Sequence, residues 1–276
     1  MKVQCFLFKR KVREMYFDTH THLNDEAFLG KEEEYVARAK ENGVTKMAIV
    51  GCNQKTNAQS LALSTKFPEL YSIIGFHPTD IKEYNEQTEQ QLEAQLAEEK
   101  VVALGEIGVD YYWMEDPKEE QEKIFRRQLA IARNLHLPVS IHTRSKEKDS
   151  FEAYEDVYRI LKEEKVPGII HSFNGNVEWM ERFLDLGMHI SFSGVVTFKN
   201  AKIVQEVAKK VPKEAFLIET DAPYLAPVPK RGKQNEPAYV RYVAEYIADL
   251  RAVTPEEIAK QTMHNACTLF GIEEEK

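Results

Sequence analysis

The chain has 276 residues, 43% apolar and 30% charged, with a formal net charge of −8. That length fits two ordinary domains or one α/β barrel of about 250 residues, and it can bury a large core. The charge excludes a uniformly basic nucleic-acid coat, although a phosphodiester can still bind where cations cluster or metal ions supply charge. No apolar run approaches the ~20 residues of a membrane span, so no membrane partner is expected.

Residues 1–14, MKVQCFLFKRKVRE, place a short apolar patch before a basic cluster, the reverse of a signal peptide. The expected division is an extension over 1–14, outside the fold, and one barrel domain over 15–276. A membrane-surface or partner-binding anchor is the lesser alternative for the extension. Cys5, Cys52 and Cys267 show no C-x-x-C spacing. They read as free thiols in a reducing, cytoplasmic setting.

YFDTHTH (16–22) opens the fold as a strand, and His20 and His22, two residues apart, share a face of it. The amphipathic helix KEEEYVARAKEN follows. KMAIVG (46–51) is the second strand, with Cys52 just past it, and NAQSLALSTKF the second helix. YSIIGFHP (71–78) carries His77 and precedes TEQQLEAQLAEE. VVALGEIG (101–108) carries Glu106 and precedes EEQEKIFRRQLAIARNL. PVSIHT (138–143) ends on His142 and precedes SFEAYEDVYRILKEE; PGIIHSF (167–173) carries His171 and precedes NVEWMERFLDLG. MHISFSG (188–194) and the helix KNAKIVQEVAKK lead to FLIETDAP (216–223), which carries Asp221. Two helices close the chain, AYVRYVAEYIADLRA and TPEEIAKQTMHNACTLF. Thr254 is the expected N-cap of the last, with Pro255 at its first position and Glu257 three residues on.

Eight strands, each followed by a helix with no long polar linker, predict one TIM-like (β/α)8 barrel with an extra C-terminal helix. An open doubly wound sheet is the alternative, but no G-x-G-x-x-G follows any strand. Barrel sites lie at the C-terminal ends of the strands. There the sequence sets His20, His22, His77, Glu106, His142, His171 and Asp221, while strands two and seven end in small or uncharged residues around Gly51 and Ser193. Burying so many imidazoles and carboxylates without partners is costly, and cations offer compensation. A dinuclear site accounts for two carboxylates with four or five histidines. His77 stays open between metal, substrate and a plain hydrogen bond. His136, His189 and His264 lie away from strand ends and read as structural, and Cys52 as a small buried residue.

FDTHTHLND, IGFHP, ALGEIGVDYYW, PVSIHTR, IIHSFNGN, SFSGVVTFKNA and IETDAPYLAPVPKRGKQNEP occur in the order found in TatD-family metal-dependent deoxyribonucleases, which the chain resembles from Met15 onward. The resemblance implies an amidohydrolase-superfamily barrel that hydrolyses DNA phosphodiesters, often from a 3′ end and often on single strands. It implies that His20, His22, Glu106 and Asp221 hold one divalent metal and that Glu106, His142 and His171 hold a second, with Glu106 bridging. Ser172 stands where many members have cysteine, and it is expected to point away from the metals.

Zn²⁺, Mn²⁺, Fe²⁺ and Ni²⁺ suit the imidazoles, and members of the family the chain resembles are commonly assayed with Mg²⁺, so the identity of the two expected divalent ions stays open. Asp221 is the expected base and His77 a donor to phosphate or leaving group. The cations crowd three loops: Lys230, Arg231 and Lys233; Arg144, Lys146 and Lys148; Lys199 and Lys202. The expected substrate contacts are Arg231, Lys233, Tyr224 and Asn174, with DNA as the partner and the protein a monomer. Tyr111, Tyr112, Trp113 and Tyr224 are candidates to stack bases, although loop packing is the preferred account of the YYW run. The rival functions are an amidohydrolase or lactonase on the same barrel, and a non-catalytic barrel that binds metal or nucleic acid.

Overall fold

The computed structural model describes residues 15–113, 117–147 and 150–274. The expected extension over 1–14 and Lys148 lie outside them. The strands are β1 (Tyr16–Thr21), β2 (Val44–Val50), β3 (Leu70–Ile74), β4 (Val101–Asp110), β5 (Val139–Arg144), β6 (Gly168–Ile170), β7 (Met188–Phe192) and β8 (Phe216–Ile218). They pair in sequence order, every pair parallel. Between and after them run α1 (Glu32–Glu41), α2 (Gln54–Lys66), α3 (Glu86–Gln95), α4 (Lys118–Leu135), α5 (Glu152–Glu164), α6 (Val177–Asp185), α7 (Lys202–Lys210), α8 (Val240–Arg251) and α9 (Pro255–Phe270). The expected (β/α)8 barrel with an extra terminal helix is the observed architecture.

The seam between β8 and β1 is closed by polar bonds. The Asp221 N–H donates to the His20 carbonyl (2.9 Å) and the His22 N–H to the Ala222 carbonyl (2.8 Å). Asp18 accepts from the Thr220 N–H (2.8 Å) and hydroxyl (2.5 Å), and the Thr19 hydroxyl donates to the Ile218 carbonyl (3.0 Å).

Alternation along the strands makes two cores. Tyr16, Met47, Ile49, Leu104, Ile141 and Ile190 belong to the layer under the helices. Phe17, Ala48, Val50, Ile73, Ala103 and Leu217 form the second core, inside the barrel. There α9 closes the floor with Met263, Ala266, Cys267 and Phe270, and the Phe270 ring centroid lies 5.7 Å from that of Phe17. The floor is thus sealed by apolar contact, and the polar residues gather at the opposite end.

Local signals account for the boundaries. Thr254 and Glu257 form the expected capping box of α9. Asn53 and Thr56 form another, which starts α2 at Gln54, ahead of the expected Asn57. Strands β6 and β8 are shorter than expected because the backbone leaves the extended region at their ends: Ser172 has φ 43° and Asp221 φ 55°. His171 and Asp221 therefore sit just beyond their strands. Among the described residues no helix is long and apolar enough to cross a membrane.

Two substitutions separate these contributions. Phe270→Ala opens a cavity beneath the lumen and is expected to cost about 3 kcal/mol. Thr254→Ala, which removes only the cap, is expected to cost about 1 kcal/mol. Denaturant unfolding of the two variants checks the order.

Candidate metal centre

Glu106, the sixth of the ten residues of β4, is 3% exposed, and its two oxygens face different histidines. Oε1 lies 2.8 Å from His142 Nδ1, 3.3 Å from His171 Nε2 and 3.7 Å from His77 Nε2. Oε2 lies 3.5 Å from His20 Nε2 and 3.8 Å from His22 Nε2. Asp221 Oδ1 joins the second group, 3.4 Å from His22 Nε2 and 3.9 Å from His20 Nε2. All seven strand-end residues singled out in the sequence therefore converge.

A second ring of groups, which the sequence reading missed as functional, fixes the imidazoles. Asp110 Oδ2 lies 2.9 Å from His142 Nε2. Glu219 Oε1 lies 2.8 Å from His171 Nδ1 and accepts the Ser172 N–H at 2.7 Å, while its Oε2 accepts the Ser191 hydroxyl at 2.5 Å. His22 Nδ1 meets the Val50 carbonyl at 3.2 Å, and His20 Nδ1 lies 3.4 Å from the Ser140 hydroxyl. Each imidazole thus turns its other nitrogen toward Glu106, the arrangement by which outer groups fix tautomer and orientation at metal sites. Asp18, Asp110 and Glu219 each stand two to four residues from a recognised group in FDTHTH, GEIGVD and IETD, which was the only signal available for them.

This donor set suits divalent cations. His20, His22 and Glu106 offer ligand atoms within 4.8 Å of one another, as do His77, Glu106 and His142, and His20, His171 and Glu219. The third trio is better understood as a ligand and its support, because both Glu219 oxygens are already engaged. In the second trio His77 differs from its neighbours. Its Nδ1 accepts the backbone N–H of Thr79 at 3.2 Å. The Thr79 hydroxyl lies 2.7 Å from the same nitrogen and itself donates to Asp80 at 3.0 Å, while His77 Nε2 faces Glu106.

The electrostatics agree. Burial, with help from the charge of His142, pushes His77 down to about 3, so the ring is neutral. Burial opposes charge on Glu106, but the charge of the facing His171 and the hydrogen bond to His142 hold it well below the usual carboxylate range. Burial likewise opposes protonation of His171 and His22, yet Glu219 raises the first and Asp221 the second well above the ordinary imidazole value. Carboxylates and imidazoles thus shift one another in opposite senses, as in a close-packed set of anionic and basic groups.

The other expectations divide. Ser172 turns from the cluster as expected, its hydroxyl 2.8 Å from that of Ser193. Tyr224 is exposed beside the cluster, its ring centroid 6.3 Å from that of His22 and its hydroxyl donating to Asp25 at 3.2 Å. Arg231 is exposed in the loop after β8 and stacks on Phe198 at 3.7 Å; Lys233 is exposed in the same loop. Asn174 is exposed after β6, and its carboxamide oxygen accepts the Tyr154 hydroxyl at 2.8 Å. None of these polar bonds, among the described residues, reaches Glu106. Cys52 is only partly buried and lies 3.9 Å from Glu106 Oε2, closer to the cluster than expected of a packing residue. Loop packing explains Tyr111, which is 2% exposed with its hydroxyl on Asp156, but not Tyr112 or Trp113, which face solvent.

Comparison with known proteins gives this geometry a family. Residues 17–271 match the model of TatD related DNase. The metal-dependent hydrolase YabD of Bacillus subtilis, itself uncharacterised, is 44% identical over 94% of this chain and 100% of its own length. The crystal structure of YjjV, a TatD homologue from Escherichia coli, superposes with a TM-score of 0.86 at 31% identity, covering 94% of this chain and 98% of that one. The lactonase Lmo2620 from Listeria monocytogenes gives 0.64 at 14% identity over 95% and 96%, a likeness of fold alone. The barrel, the buried histidine–carboxylate cluster and these matches together make the chain a member of the TatD family of metal-dependent hydrolases.

Proposed function

We propose that this hydrolase is a deoxyribonuclease that removes nucleotides from the 3′ ends of single-stranded DNA at a dinuclear centre. The observation that carries the reading is the division of Glu106, with one oxygen toward His142 and His171 and the other toward His20 and His22. In this reading His20, His22, Glu106 and Asp221 hold one divalent ion, Glu106, His142 and His171 hold the other, and Glu106 bridges. Bound divalent ions supply Lewis-acid polarisation of the scissile group and lower the pKa of water.

The protein's own groups do the rest. Asp221 has its backbone fixed by the bond to His20 and its carboxylate at the mouth, where it orients water and accepts a proton. His77 hydrogen-bonds a phosphate oxygen through Nε2, and Thr79 holds the ring by Nδ1. Exposed Arg231 and Lys233 hold flanking phosphates, Arg231 by its planar fork. Tyr224 and Asn174 border the strand's path. These rim cations favour a polyanion over the neutral ester of a lactonase, and an assembled set of acid, base and ligand groups favours turnover over mere binding.

Metal-stripped protein given 5′-labelled single-stranded DNA should shorten it one nucleotide at a time once Mg²⁺, Mn²⁺ or Zn²⁺ is restored. Intact DNA from protein holding two metals would overturn the nuclease reading and direct assays to lactones and amides. Glu106→Ala should lose both metals by elemental analysis as well as all activity. His77→Ala should keep both and lose about 10²- to 10⁴-fold in kcat; loss of a metal would make His77 a ligand. Arg231→Ala should weaken DNA binding and lower the salt dependence by about one unit of slope.

A further inference from the structure

We propose that Tyr112, Trp113 and Arg144 form a stacking subsite for an unpaired nucleobase next to the scissile phosphate, positioned by Asp110; this rests on the nuclease reading above. Tyr112 and Trp113 are 51% and 62% exposed, with ring centroids 4.7 Å apart and planes at 88°. The Arg144 guanidinium covers Tyr112 at 4.2 Å and stands 5.6 Å from the Trp113 centroid. Among the described residues no carboxylate pairs with Arg144. Among the described residues one large aromatic face is therefore exposed beside a cation with no carboxylate partner. Aromatic faces with arginine suit single-stranded bases, since every base has a π-face and every nucleotide a phosphate.

Its place relative to the centre is fixed by one carboxylate. Asp110 Oδ1 accepts the N–H groups of both Tyr112 and Trp113 at 2.8 Å, while Oδ2 lies 2.9 Å from His142 Nε2. The Tyr111 N–H donates to the Arg144 carbonyl at 2.8 Å, which ties the two loops together. Only the carboxylate of Asp110 separates the platform's backbone from a histidine of the cluster. In this proposal a base held on Trp113 belongs to a nucleotide close to the one being cleaved. Burying Tyr111 while exposing its two neighbours is what the loop needs to present such a face without losing its anchor.

The chain has two tryptophans, and Trp179 is buried. A Trp179→Phe protein, metal-loaded, would report Trp113 alone. Thymidine oligonucleotides with uncleavable phosphorothioate linkages at the 3′ end should quench it, and an abasic residue at one of the last positions should abolish the quenching. Independently, Trp113→Ala in the otherwise unchanged protein should raise KM for single-stranded DNA about tenfold and erase the preference for base-containing over abasic ends. Normal cleavage with unchanged Trp113 fluorescence, or with KM unaffected by Trp113→Ala, would overturn the subsite and leave the nuclease reading intact. Quenching without any cleavage of ordinary DNA would defeat the nuclease reading and retain the stacking face.

Discussion

A carboxylate that stays ionised inside the mouth of a barrel is the constraint from which the rest of the site follows. Glu106 is buried and charged. A buried charge survives only if it is paired and hydrogen-bonded. The partners come from β1, β3, β5 and the ends of β6 and β8, so no short segment could supply them. Only a closed barrel brings those strand ends to one point, and rigid strands hold side chains more tightly than loops do. The apolar floor made by α9 and the polar mouth are two halves of this solution.

The histidines around Glu106 are supported unequally. Carboxylates stand behind His142 and His171, whereas a hydroxyl stands behind His20 and a carbonyl behind His22. A carboxylate behind an imidazole raises its basicity as a ligand. The weaker support of the His20–His22 side is balanced by Asp221, an additional anion on that side alone. Charge is thus shared between the two halves of the cluster by different routes, through an outer residue in one and a direct neighbour in the other.

Much of this was legible in the sequence because barrels impose a simple code. The strands could be found from short apolar runs, and the mouth from the last polar residue of each. His20, His22, Glu106, His142, His171 and Asp221 meet for that reason. Asp18, Asp110 and Glu219 were not legible, because a carboxylate two residues from a site residue reads the same whether it faces the cavity or backs a histidine. For Glu219 the left-handed turns at Ser172 and Asp221 decide that, and they are not encoded by periodicity. The YYW run defeated pattern reasoning similarly. Three adjacent aromatics in a loop carry no period, and it is Asp110 and Asp156 that separate the buried Tyr111 from its exposed neighbours.

The seam of the barrel has a consequence for how the molecule comes into being. Asp18 and Thr220, whose bonds help close it, are 202 residues apart, and His20 and Asp221 meet across the same line. Loop closure over such a span is entropically slow and comes late. During synthesis the first histidines emerge long before the last carboxylate. The floor helix emerges later still. A chain stopped before Asp221 therefore carries pieces of the cluster but not the whole, and one stopped between Asp221 and α9 carries the cluster without the floor beneath it.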